Sequence, residues 1–193
     1  TEASRYSTIT LNLPVNSIVN MKSLSMHCSG SCTTPIAFEN VGGDADTLIT
    51  TLPNGIEKLI QRMEIFAGGQ QLTTGFQGYN TVSCVLDTIK TTLSKEMTYQ
   101  RVLKNQEISV AENFYSKPRP YILNQWLSFL GEAEPSYIDT SLLPPIQIRL
   151  YLAGPEVLGC YQKSKTPGAA IDTKAQEALV SKDNFKLEKL YFT

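Results

Sequence analysis

Strict two-residue alternation of apolar and polar side chains, recurring in segment after segment, most narrows the folds open to this chain. In "STITLNL", Ile9, Leu11 and Leu13 share one face, with Thr8, Thr10 and Asn12 on the other. "SLSMHC" repeats the pattern with Leu24, Met26 and Cys28. Leu59, Met63, Ile65 and Ala67 alternate along a third segment with Gln61 in phase, while Ile60 and Phe66 give its outer face an apolar character. In "PIQIRLYLA", Ile146, Ile148, Leu150 and Leu152 point one way and Gln147, Arg149 and Tyr151 the other. "NFKLEKLYF" places Phe185, Leu187 and Tyr191 in phase. Successive side chains of a strand point to opposite faces, so this alternation marks half-buried antiparallel strands. Strands covered on both sides, as in a parallel sheet, read instead as continuous apolar runs.

Turn formers separate these segments at Pro14, Pro35, Pro53-Asn54-Gly55, Pro118, Pro120, Pro135, Pro144-Pro145 and Pro167-Gly168. One stretch keeps a different period. Tyr79, Val82, Leu86, Ile89 and Leu93 recur at steps of three and four, which sets them on one face of a helix. A weaker helical stretch follows around Lys95 to Lys104, and "QKSKTPGAAIDTKAQ" (Gln162 to Gln176) reads as a mobile loop. Many short strands with one or two inserted helices predict an all-β fold, an antiparallel sandwich or jelly roll, as one domain over residues 1–193. A chain of this length buries roughly 70% of its unfolded surface, so it needs no disulfide or metal staple.

Charge and cysteine usage exclude several partners. The 17 basic and 18 acidic residues nearly cancel, whereas proteins that grip nucleic acid carry a basic surplus that neutralises phosphates. No apolar run approaches the ~20 residues of a membrane span, and no signal-peptide pattern opens the chain. Of the four cysteines, Cys28 near a strand end and Cys84 within the helical pattern sit where small buried thiols are common. With no N-glycosylation acceptor either, a reducing compartment of synthesis is expected.

The candidate chemistry is thin. "RMEIFAGGQQLTTGFQGYN" joins a strand, glycines and a helix start, the parts of a phosphate cradle. Yet it lacks the Lys-Ser/Thr pair of a Walker loop, and Gly68, Gly69, Gly75 and Gly78 do not fit G-x-G-x-x-G. A tight hairpin at Gly68-Gly69 and a turn at Gly75 to Gly78 account for it. "HCSGSC" offers His27, Cys28 and Cys32 to zinc, but His27 and Cys28 are adjacent on a strand and point to opposite faces, and no second close Cys pair exists. They read as a surface imidazole and a core thiol. "GGDAD" (Gly42 to Asp46) lacks the further acidic ligands of a calcium loop. One histidine and no G-x-S-x-G leave no nucleophilic constellation, so neither enzyme activity nor a cofactor is expected. Trp126, Phe129 and Tyr137 could line a sugar site, which keeps a carbohydrate-binding, lectin-like sandwich as an alternative.

Three segments carry a resemblance. "RYSTITLNLPVNSIVNMKSLSMH" resembles the opening two strands of the major capsid proteins of polinton-like viruses and virophages. "EIFAGGQQLTTGFQGYNTVSCVLDTI" resembles the hairpin and helix that follow, and "YILNQWLSFLGEAEPSYIDTSLLPPIQIRLYLAGPEVLG" resembles the later strands. The series is in the expected order and spans nearly all of the chain. The resemblance implies an antiparallel jelly-roll sandwich of eight strands: the first jelly roll of a double jelly-roll capsid protein, with a second to follow, or a single jelly-roll penton or minor capsid protein. It implies a homotrimer acting as a pseudo-hexagonal capsomer of an icosahedral shell. Its partners would be neighbouring capsomers, penton and minor capsid proteins, and its location the virion, after synthesis in the host cell. The family brings no catalytic residues. On the terminal strand, Leu190, Tyr191 and Phe192 make both faces apolar. Leu190 or Phe192, whichever points outward, is therefore the expected interface residue against another domain or chain.

Overall fold

Alternating segments close into antiparallel sheets. The structure, a computed structural model, describes residues 2–32, 36–39, 45–53, 55–72, 76–91, 118–124, 126–127, 137–163 and 185–193. Its strands are β1 (Ala3–Ser4), β2 (Thr8–Asn12), β3 (Ile18–Asn20), β4 (Met26–Cys32), β5 (Ile36–Glu39), β6 (Ala45–Thr51) and β7 (Ile60–Ala67). After them come β8 (Gln70–Gln71), β9 (Phe76–Gln77), β10 (Arg119–Leu123), β11 (Tyr137–Asp139), β12 (Ile146–Leu152), β13 (Gly159–Lys163) and β14 (Phe185–Phe192). The one described helix, α1, spans Tyr79–Thr91. Five of these strands have only two or three residues, so the expected count of eight does not map onto them directly. The weaker helical stretch at 95–104, Leu93, Gly75 and Phe129 lie outside the described residues. So does the acidic loop apart from Ala45 and Asp46, which open β6, and so does the expected mobile loop beyond Gln162 and Lys163, which end β13.

One sheet has the order β1-β14-β4-β10 and another β2-β12-β7-β8, with β9 also on β7; β11-β3 form a ribbon and β13-β6-β5 a third sheet. Every pairing is antiparallel. The inner faces of the two larger sheets meet in one hydrophobic cluster. Met26, Cys28, Cys32, Leu123, Phe185 and Leu187 come from one side, and Ile9, Met63, Ile65, Ile148 and Leu150 from the other. The described residues are thus mostly antiparallel β with one helix, arranged as a sandwich. In β4 a glycine stands among the inward residues: a Cβ on Gly30 would come within 2.8 Å of Leu52 and 3.0 Å of Tyr121, so the missing side chain is the space those two fill.

Two bulges shift the phase read from the sequence. In β7, Ile60 pairs with Leu152 while Arg62 pairs with Tyr151, so Gln61 is an extra residue. Ile60 is therefore buried in the core and Gln61 exposed, the reverse of the expected phase. In β14 the register slips between Glu188 and Tyr191, around Lys189 with its positive φ of 52°. Beyond it Leu190 turns inward and Tyr191 outward, so Tyr191 is not in phase with Phe185 and Leu187.

Helix α1 packs against the 3-10 turn Ile56–Leu59 and against β7. Tyr79 and Ser83 are buried and Val82 and Leu86 half-buried, but Ile89 is exposed. At 3.6 residues per turn Ile89 lies about 80° round the helix from Tyr79, on the shoulder of a narrow buried stripe. Cys84 is also exposed, correcting its reading as a buried thiol; Cys28 and Cys32 are buried.

Candidate functional site

Within the glycine-rich stretch, the described glycines Gly68, Gly69 and Gly78 serve as turns. Gly68 and Gly69 have φ of 57° and 82°, and β7 and β8 pair through Ala67 opposite Gln70. Positive φ at both loop positions is what a two-residue type I′ hairpin needs. Gly78, at φ 71°, then turns the chain into α1, where the Val82 N–H donates to its carbonyl at 3.0 Å. Tyr79 heads the helix with its ring fully buried, and the Leu127 N–H donates to its hydroxyl at 3.1 Å. The sequence places Tyr79 beneath the helix, and the structure agrees.

His27 and Cys28 do point to opposite faces. Cys28 lies in the core, where burial pushes its thiol up to about 11. His27 lies on the outer face of β4, stacked on Tyr191 with ring centroids 4.9 Å apart and planes 2° from parallel. Its Nε2 is 3.0 Å from Ser25 Oγ and 3.2 Å from Thr193 Oγ1. The backbones of Ser25 and Thr193 also bond in both directions, at 2.8 and 2.9 Å. No three His, Cys, Asp or Glu side chains gather as a metal would need among the described residues.

The expected interface residues sit elsewhere than expected. Leu190 is 9% exposed and belongs to the core cluster, and Phe192 packs partly against it. Neither points outward; Tyr191 does, at 54% exposure. The aromatic candidates divide in the same way. Trp126 is 6% exposed, and its Nε1–H donates to the Leu24 carbonyl at 2.7 Å, so its ring has no free face for a sugar. Tyr137 is exposed on the ribbon.

One network among the described residues went unread in the sequence: the outer face of β2-β12-β7. Registry sets Asn12, Gln147 and Phe66 in one row, Thr10, Arg149 and Glu64 in the next, and Thr8, Tyr151 and Arg62 in the third. The Tyr151 hydroxyl donates to Glu64 Oε2 at 2.7 Å. Arg62 lies over the Tyr151 ring at 4.1 Å and Arg149 over the Phe66 ring at 4.3 Å. Arg149 Nε donates to Gln147 Oε1 at 2.7 Å, and Gln147 Nε2 to Asn12 Oδ1 at 2.9 Å. Arg62 Nε stands 3.3 Å from Glu64 Oε1 without an aligned hydrogen bond, so charge attraction holds the pair. Alternation shows that these residues face outward; only registry shows that they interlock. The polar side chains of this face are committed to one another.

No described helix is long and apolar enough to cross a membrane. Comparison with protein-family models, with curated proteins and with solved structures finds no match.

Proposed function

We propose that this chain is a structural subunit of an icosahedral viral capsid, folded as a jelly roll and assembling as a trimer that serves as a pseudo-hexagonal capsomer. Its working location is the virion, and its partners are copies of itself, neighbouring capsomers, and penton and minor capsid proteins. The observation that carries the reading is the interleaving of early and late strands. Late β12 lies between β2 and β7, and late β14 lies between β1 and β4. Sheets that repeatedly insert late strands between early ones are what rolled-up Greek keys produce, and they fit the ordered series of capsid-like segments.

The polar residues also favour a building block over a binding module. Trp126, Tyr79, Thr140 and the Arg62–Glu64–Tyr151 group are all spent on internal contacts. The glycan reading loses Trp126, its leading residue, to the core. Light scattering and negative-stain microscopy test the proposal, with capsomer-sized trimers as the expected result. A chain that stays monomeric, alone and with its neighbouring gene products, would overturn it.

A further inference from the structure

Large apolar side chains gather in the open at one corner of the molecule, around the β3–β11 ribbon. The ribbon's inner face is Val19 opposite Ile138, both packed against the core. Its outer face carries Ile18, opposite Asp139, and Tyr137, opposite Asn20. Thr140 ties the adjoining loops together: the Ser17 N–H donates to its hydroxyl, which lies 2.8 Å from the Pro14 carbonyl. That link brings the turn bearing Val15 to the turn bearing Leu142 and Leu143. The Gly68 N–H donates to the Pro145 carbonyl at 3.0 Å, so the hairpin that leads to Leu72 abuts the same corner. Ile18, Val15, Leu72, Tyr137, Leu142 and Leu143 are between 43% and 83% exposed.

We propose that this corner is the surface through which copies of this chain meet. The inference rests on the capsid reading and deepens it by naming where subunits touch. Area is the first reason. Together these six residues expose on the order of 700 Å², near the roughly 800 Å² that each partner brings to a standard interface and above the roughly 300–600 Å² of a typical monomer's largest apolar patch. Charge is the second. Residues 13–18, 68–72 and 140–146 carry no charged side chain. On the ribbon strand between them, Asp139 accepts hydrogen bonds from the Ser141 N–H at 2.9 Å and hydroxyl at 2.6 Å. Contacts around a symmetry axis bring like surfaces together, where a charge meets its own image; among the described residues of these segments only Asp139 could do so. A lipid surface fits less well, since no basic residue of these segments would draw anionic headgroups.

The test uses the 193-residue chain with Leu142→Glu and Ile18→Glu made separately, followed by sedimentation over a range of concentrations. Thermal melts check folding, and both side chains are exposed enough for either variant to serve. Expected is reversible association of the parent, weakened about tenfold or more in each variant with an unchanged melt. Association of undiminished strength in both folded variants would overturn the inference and leave the capsid reading standing. A parent that never associates would overturn both. Binding of a non-associating parent to phosphatidylcholine vesicles, lost in the variants, would reassign the corner to lipid.

Discussion

Thr140 shows how one hydroxyl holds a loop crossing. It accepts from the Ser17 N–H at 3.0 Å and lies 2.8 Å from the Pro14 and 2.9 Å from the Ser17 carbonyl, while the Thr140 N–H donates to the Ser17 carbonyl at 2.9 Å. With one proton to give, and the Ser17 carbonyl already served by the backbone, the hydroxyl satisfies Pro14 best. Thr140 is buried, so Thr140→Val keeps its shape but leaves the Ser17 N–H and the Pro14 carbonyl without partners. The expected loss is about 1–3 kcal/mol, read by denaturant unfolding. Thr140→Ser, which keeps the hydroxyl, should lose less than about 1 kcal/mol. Equal losses would mean that the methyl group, not the hydrogen bonds, matters here. Nothing in the sequence marks this threonine, because its partners lie more than 120 residues away.

At the scale of elements, straight strands were legible and bulged ones were not. In β2, β4 and β12 the inward residues are those the alternation names, and β4 carries the pattern on through Gly30 to Cys32. In β7 and β14 an extra residue reverses the phase partway, and alternation read through a bulge assigns the wrong face. The interface expectation at Leu190 and Phe192 arose there: three apolar residues in a row look like two apolar faces until Lys189 is counted out of the ladder. The sequence hides this bulge because its left-handed residue is a lysine rather than glycine or asparagine. That supplies a prediction. L-residues strain at positive φ by roughly 1–2 kcal/mol, so Lys189→Gly should stabilise the protein by up to about 1 kcal/mol once its looser unfolded chain is counted. Lys189→Val should destabilise it by about 1 kcal/mol or more, since a β-branched residue fits that φ worst. A reversed order of the two midpoints would place the bulge elsewhere.

For the whole molecule, alternation yields the class but not the order, because any pairing of half-buried antiparallel strands satisfies the same pattern. The interleaving of β12 and β14 among early strands depends on contacts across nearly the full chain length, which no local signal carries. The exposed corner was equally hidden: "PVNSIV" and "SLLPP" do not alternate and read only as turns. What the fold creates as a unit is a core that excludes charge at two titratable groups, and alkali tests it. Burial pushes the Cys28 thiol from 9.0 to about 11. Burial pushes the Tyr79 phenol from 10.0 to about 12, with the Leu127 N–H opposing and the Glu57 charge adding. Both folded values lie above the unfolded ones, so the stabilisation is complete below pH 9 and is lost as pH rises through about 11 and about 12. Two units each correspond to at most about 3 kcal/mol per group. Unfolding free energy should therefore fall steeply between about pH 9 and about pH 12, and less steeply in Cys28→Ala and in Tyr79→Phe. Tyr79→Phe starts lower at neutral pH by about 1 kcal/mol, having lost the partner of the Leu127 N–H, so the pH-dependent difference rather than the absolute value is diagnostic. If both variants lost as much stability in alkali as the parent, exposed groups would be causing the unfolding, and the core would not be charge-excluding at Cys28 and Tyr79.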